Sequence, residues 1–232
     1  MSTFINEATE VAEDGAVSVS YSLTSVGYIA IAVIAVIAML LIAFIVDKKQ
    51  GGIKIGAKQL AFAGISLAVA YVTSYIGYEL PYGGKVTLFS MFFICFVGYV
   101  FGIKVGILTA FSYSLLQFLQ SGGKYFLTPF QTCCDYFFAF TALGLAGIWF
   151  KKKHGLVIGY VVACLARGLF HTIGGYLYWM SYMPENFPAS LSAIYPIVYN
   201  YSYILIEMVI TLIIIAIPPV KDAINRIAES YR

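Results

Sequence analysis

The chain has 232 residues and a formal net charge of +3; 61% of its residues are hydrophobic and only 11% are charged. A soluble domain carries about 25% charged residues, so water could not solvate this surface, and the composition predicts a protein that lives in a bilayer. The small net charge and the lack of a basic patch interleaved with exposed aromatics exclude nucleic acid as a partner.

Residues 1–24 read as an acidic tail, with Glu7, Glu10, Glu13 and Asp14 and neither Lys nor Arg. A secretory signal opens with a basic region, so the apolar run at 25–46 is read as a retained transmembrane helix. Its length suits a span, since the hydrocarbon core is about 30 Å thick and a helix rises about 1.5 Å per residue. Asp47, Lys48, Lys49, Gly51, Gly52 and Lys54 then mark a short basic linker at 47–56, with Lys58 just beyond it. Six further apolar runs follow, at 57–77, 86–101, 105–119, 130–150, 156–180 and 191–217, and a tail at 218–232 ends the sequence. Gly, Pro and Lys punctuate the breaks between them. The runs are too continuously apolar for the alternation of a membrane barrel. Lipid also requires each spanning segment to satisfy its own backbone polar groups. The predicted fold is therefore all-α and integral to the membrane: a six-helix bundle at 57–217 plus one additional N-terminal transmembrane helix.

Seven alternating helices place Lys48, Lys49, Lys54, Lys58, Lys104, Lys151, Lys152, Lys153, Lys221, Arg226 and Arg232 at one end, and Glu79, Lys85, Lys124 and Glu185 at the other. The excess of Lys and Arg predicts that the first end is cytoplasmic, with the N-terminus outside and the C-terminus inside. Tyr78, Tyr82, Tyr178, Trp179 and Tyr182 suit an aromatic belt at the outer surface.

Ionisable groups within spans are costly and demand a partner or a purpose. Those found are Asp135, Arg167, His171 and Glu207, with Gln131 and Asn200 as neutral polar company. Arg167 and His171 stand four residues apart and share a helix face; Gly175 and Trp179 continue that face by two further steps of four. Gly175 leaves a gap that a flat ligand or a neighbouring helix can enter. Gln131 and Asp135 form a second stripe with Tyr136 beside it, entered through Tyr125 and a run ending in Pro129 at the first turn. Tyr195 and Asn200 add a third group. All but Glu207 map to the outer half or the middle of the bundle, which favours capture from outside over a proton relay. Asp135 can balance an organic cation. His171, Gln131 and Asn200 can satisfy a ring that both donates and accepts hydrogen bonds. Trp179, Tyr125, Tyr136 and Tyr195 can stack on it. The plainer alternative is that Asp135 pairs with Arg167 to fix helix packing, and Glu207 is read as a helix lock.

Cys95, Cys133, Cys134 and Cys164 all lie in apolar runs without a CxxC pair and are read as buried small residues, not metal ligands. No HExxH, GxSxG or Walker sequence occurs, so neither an enzyme nor an ATPase is indicated and no cofactor is expected. Ala57, Ala61, Gly64 and Ala68 form a ridge of small residues that lets helix backbones approach closely in lipid, either inside the bundle or against another membrane subunit. Gly102, Gly106 and Gly155 read as turn residues.

The string Pro81-Tyr82-Gly83-Gly84-Lys85-Val86-Thr87-Leu88-Phe89-Ser90-Met91 resembles the segment after the first core helix of the thiamine-specific S-components of energy-coupling factor (ECF) transporters. Tyr125 through Gln131 into Asp135-Tyr136-Phe137-Phe138, then Leu143-Gly144-Leu145-Ala146-Gly147, resembles that family's fourth helix. Arg167, His171, Gly175 and Trp179 resemble its fifth, and Tyr195 with Asn200 its sixth. The likeness covers about 57–217. It implies a six-helix subunit in a prokaryotic cell membrane that binds thiamine from outside and lacks an ATPase of its own. Such a subunit works with a transmembrane coupling protein and two cytoplasmic ATP-binding subunits. It implies that Asp135, His171, Trp179, Tyr195 and Asn200 line the pocket, with Tyr125, Gln131, Tyr136, Arg167 and Gly175 aligned nearby. It also implies that Ala57, Ala61, Gly64 and Ala68 face the coupling protein. The chain departs from the family in its additional helix, in Asp135 where some members carry Glu, and in Gly84 where some relatives place an aromatic residue. The competing readings are a stand-alone ion-coupled carrier of a related heterocycle and a non-transporting structural membrane subunit.

Overall fold

The computed structural model describes residues 5–11, 17–52, 55–81, 84–122 and 125–231. The expectations attached to Glu13, Asp14, Lys54, Tyr82, Gly83, Lys124 and Arg232 lie outside the described residues. Two units make up the chain, Met1–Ile42 and Ala43–Arg232.

In the first unit the acidic segment contains two strands, β1 (Ile5–Val11) and β2 (Val17–Leu23), paired antiparallel from Ile5 opposite Leu23 to Val11 opposite Val17. Their alternating Val, Ile, Thr and Tyr residues favour a pleated strand. Helix α1 (Ser25–Lys49) follows, with the Thr24 hydroxyl accepting from the Gly27 amide at 3.0 Å as its N-cap.

The second unit holds the C-terminal end of α1 and the remaining elements. These are α2 (Ala57–Tyr75), the short strands β3 (Gly77–Glu79) and β4 (Lys85–Thr87), α3 (Ser90–Phe101) and α4 (Ile103–Gln120). Three long helical segments come next: α5 (Pro129–Trp149), α6 (Gly155–Tyr182) and α7 (Ala189–Ala216). Each is long and apolar enough to cross a membrane. An amphipathic helix α8 (Pro218–Ser230) occupies what the sequence left as a tail. Large apolar side chains such as Ile65, Leu108, Leu169 and Ile213 point outward while Gln131, Arg167, His171, Asn200 and Glu207 are buried. Apolar outside and polar inside is the arrangement lipid selects, and the chain is a helical, multi-pass membrane protein.

Helix α3 begins later than the apolar run at 86–101 implies. Residues 85–87 pair with 77–79 as a hairpin, held by Lys85 Nζ donating to the Tyr75 carbonyl at 2.7 Å and extended by the Leu88 amide donating to Ile76 at 3.0 Å. Twelve residues of helix rise about 18 Å, short of a full crossing. Every residue of α3 except Phe93 is buried, which is why its sequence is apolar all round.

The glycines of α3, α4 and α5 do more than turn the chain. A Cβ on Gly106 would meet the Gly98 Cα at 2.8 Å and the Gly144 carbonyl at 2.9 Å; one on Gly147 would meet Ile103 and Gly102 backbone atoms at 2.6 Å. Gly106 is therefore a packing residue in the first turns of α4; Gly102, at φ +88°, keeps the turn role, and so does Gly155, whose amide donates to the Lys152 carbonyl at 3.0 Å while its Cα abuts the Trp149 carbonyl. At the same end the Gln50 side chain donates to the Gly147 carbonyl at 2.7 Å and accepts from the Ile103 amide at 3.1 Å. Ala43 and Val46 pack on Ile103, Ile107, Leu145 and Ile148. The Asp47–Lys104 ion pair, at 3.8 Å, completes the attachment of α1's C-terminal end.

Candidate ligand-binding site

The site grows from the start of α5. Thr128 caps the helix by accepting from the Gln131 amide at 3.1 Å, and Pro129 takes the first helical position, where no amide hydrogen is needed. Gln131 is fully buried; its Oε1 accepts from the Leu127 amide at 3.1 Å, which turns its NH2 group toward Asp135 Oδ2 at 2.6 Å. Residues Cys133–Phe138 then widen into a π-helical turn, a feature concentrated at functional sites. It carries Asp135.

Helix α6 makes the matching change at Gly175–Trp179. An α-helix overshoots a full turn in four residues and a π-helix falls short of one. The switch therefore returns Trp179 toward the line of Arg167 and His171. The Trp179 indole Nε1 donates to Asp135 Oδ2 at 2.8 Å, and His171 Nδ1 stands 3.5 Å from Asp135 Oδ1. Gly174 makes this approach possible, since a Cβ there would meet Asp135 Oδ1 at 2.7 Å.

Asp135 and Arg167 do not form the helix-fixing pair. Among the described residues Asp135 faces the His171 imidazole at 3.5 Å, while the Arg167 guanidinium lies 4.4 Å from the Phe140 ring centroid and 5.9 Å from that of Tyr203. Its Nε donates to His171 Nε2 at 3.3 Å. A cation held between ring faces gains from their negative quadrupole.

The structure thus brings Gln131, Asp135, Arg167, His171 and Trp179 together. Asn200 joins through its amide, which donates to the His171 carbonyl at 3.3 Å and to the Pro196 carbonyl at 2.8 Å, while Tyr203 donates to its Oδ1 at 3.1 Å. The gap at Gly175 is filled by helix α7: a Cβ there would meet Pro196 at 2.7 Å. Tyr125 is exposed, with its ring edge-on to Trp179 at 6.4 Å, and Tyr136 stacks on Phe140 at 6.5 Å. Tyr195 stands apart from the carboxylate and packs on Phe187 and Tyr199.

Tyr195, Tyr199, Tyr203 and Glu207 recur every four residues, an aromatic stripe ending in an acid that sequence reading passed over. Glu207 ties one helix to another through backbone groups, not through a charged partner. It accepts from the Thr87 amide (2.9 Å), the Thr87 hydroxyl (2.6 Å) and the Met91 amide (3.3 Å), joining α7 to β4 and the first turn of α3. Gly84, at φ +79°, lies directly on the Tyr203 ring, so Tyr203 occupies the space an aromatic side chain at 84 would need. Ala57, Ala61, Gly64 and Ala68 are all exposed on α2, and a Cβ on Gly64 would meet nothing within 4 Å.

A family model described as thiamine transporter protein matches residues 60–226. Thiamine transporter ThiT of Bacillus subtilis (strain 168) is 25% identical over 172 residues, spanning 68% of this chain and 87% of that relative. The solved structure of ThiT from Listeria monocytogenes aligns with a TM-score of 0.54 at 21% identity, over 69% of this chain and 94% of that one, and shares the fold. A second solved structure, the S component of a bacterial ECF transporter, aligns with a TM-score of 0.44 at 19% identity, over 68% of this chain and 95% of that one.

Proposed function

The chain belongs to the thiamine transporter protein family, and on that premise we propose that it captures thiamine from outside the cell and delivers it as the substrate-binding S-component of an ECF transporter. The observation that carries the reading is Asp135: a carboxylate half-buried inside a membrane bundle, met by Gln131, His171 and Trp179 and left without an Arg or Lys partner among the described residues. An anion kept at this depth is costly unless it has a use, and a cationic heterocycle is such a use. In this mechanism the carboxylate balances the ligand's positive charge or bonds its aminopyrimidine ring. Trp179, Tyr125 and Tyr136 stack against its rings, Tyr195 closes the aromatic wall, and His171 and Asn200 complete the hydrogen bonds.

Uptake then requires energy from partners, since the sequence carries no Walker motif. The exposed ridge of Ala57, Ala61, Gly64 and Ala68 is the face for a transmembrane coupling protein, which two cytoplasmic ATP-binding subunits drive. The basic loops put Lys104 and Lys151–Lys153 in the cytoplasm with the C-terminus, and the N-terminus outside.

The test is thiamine titration of the purified protein by tryptophan fluorescence. Trp149 and Trp179 are the two tryptophans, so Trp149→Phe isolates Trp179. Saturable quenching that Asp135→Asn weakens supports the reading; a folded protein that shows none overturns it. Ala61→Leu with Gly64→Leu is expected to abolish uptake while binding persists. Thiamine uptake into vesicles holding this chain alone, driven by an ion gradient, would replace the ECF mechanism with a carrier.

A further inference from the structure

Arg167 is buried beside the carboxylate it does not touch, and the direction of its hydrogen bond fixes a proton elsewhere. A guanidinium is donor-only and does not lose its charge in proteins. Its Nε–H points to His171 Nε2 at 3.3 Å, so Nε2 presents a lone pair. The imidazole's one remaining proton is then on Nδ1, the nitrogen that faces Asp135 Oδ1 at 3.5 Å. The other groups against His171 leave this assignment intact. From α5 they are Asp135 and the Phe140 ring, edge-on at 6.0 Å; from α7 they are the Tyr203 ring at 6.3 Å and the Asn200 amide, which bonds the backbone carbonyl. Glu207 lies within electrostatic reach of Arg167 and accepts from the Thr87 amide.

We infer that Arg167 is a positioning residue: it holds His171 as the neutral, Nδ1-protonated tautomer and so keeps the Asp135 charge uncancelled for a cationic ligand. An imidazolium here would set N–H against N–H and place its charge beside the guanidinium. Without Arg167 that bar is gone, and His171 is free to carry a second proton and neutralise Asp135 itself. Its own cation would then compete with the ligand's. Arg167 thus acts on the ligand through His171 and not by contact. The ligand half of this inference rests on the function proposed above; the tautomer half does not.

The test uses 15N-histidine labelling of the full chain in detergent, in a His154→Gln background that leaves His171 as the sole histidine. At about pH 7.5 and about pH 6, values that bracket the ordinary histidine range, the protein is expected to show an unprotonated Nε2 and a protonated Nδ1. Arg167→Met is expected to give mixed tautomers at the higher pH and an imidazolium at the lower, and to weaken thiamine binding about tenfold, the effect of a single lost charge interaction. Arg167→Lys retains a donor and is expected to keep both the signature and the affinity. A proton on Nε2 in the parent protein overturns the inference, as does an unchanged signature in Arg167→Met. Should Arg167→Met fail to fold, the parent and Arg167→Lys spectra decide alone. The expected spectra with no thiamine binding in any variant would retain the tautomer lock and reject thiamine as the ligand.

Discussion

Replacing Glu207 with Ala should release the junction between β4 and α3. The carboxylate is 3% exposed and accepts from two backbone amides and one hydroxyl. Truncation leaves the Thr87 and Met91 amides without that acceptor; the Thr87 hydroxyl can still turn to Ser90, 2.6 Å away. Polar contacts within membrane proteins average about 0.6 kcal/mol each, which sets a floor near 2 kcal/mol for three. A buried donor left unsatisfied costs about 1–3 kcal/mol, and bonds to a charged acceptor are about twice as strong as neutral ones. A loss of about 3 kcal/mol follows, confined to residues near 85–91, and it corresponds to roughly a hundredfold rise in local opening. Hydrogen exchange read by mass spectrometry on peptides covering 85–95 measures it directly. Glu207→Gln keeps one acceptor oxygen and should fall between the parent and Ala. Exchange in Glu207→Ala within about twofold of the parent would refute the reasoning and make Glu207 a bystander.

Two further perturbations test the packing at the opposite end. Gly144→Ala forces a Cβ to within 2.6 Å of Ile107 and 2.7 Å of Gly106; overpacking of this kind costs about 1–3 kcal/mol, visible as a lower Tm in detergent, and an unchanged Tm would show that α4 and α5 can part without penalty. Gln50→Leu removes the donor to Gly147 and the acceptor for Ile103, at a cost of about 1–3 kcal/mol for the stranded Ile103 amide. Faster protease cleavage at 50–56 is expected, and an unaltered cleavage rate would mean the C-terminal end of α1 is held without the Gln50 bonds.

The membrane class and the helices were legible in the sequence because both depend on local quantities, composition and run length. The two polar stripes, Gln131 with Asp135 and His171 with Trp179, were legible too, since four-residue spacing puts groups on one face and buried charge draws notice. What stayed hidden depends on which elements become neighbours. Nothing in the run at 86–101 announces that Glu207, about 120 positions later, pins its start. The π-helical turns at Asp135 and before Trp179 have no sequence signature, though they set the aim of both side chains. Gly106 looked like a turn residue because its reason for being glycine, Gly98 and Gly144, lies on other helices. The gap expected at Gly175 could not be assigned to Pro196 before α7 was known to lie against it.

The glycine contacts among α3, α4 and α5 carry a consequence for how variation in this protein should be read. Where backbone meets backbone no side chain remains to repack, so every substitution there is of one kind, an insertion of volume. A saturation scan would return Gly98, Gly106, Gly144 and Gly147 as positions where nothing but glycine survives, as intolerant as any residue of the ligand site. Uptake alone would score the two groups alike. Surface abundance would separate them, because loss at the glycines removes the protein from the membrane, whereas loss at Asp135 or Trp179 leaves a well-folded molecule that no longer fills.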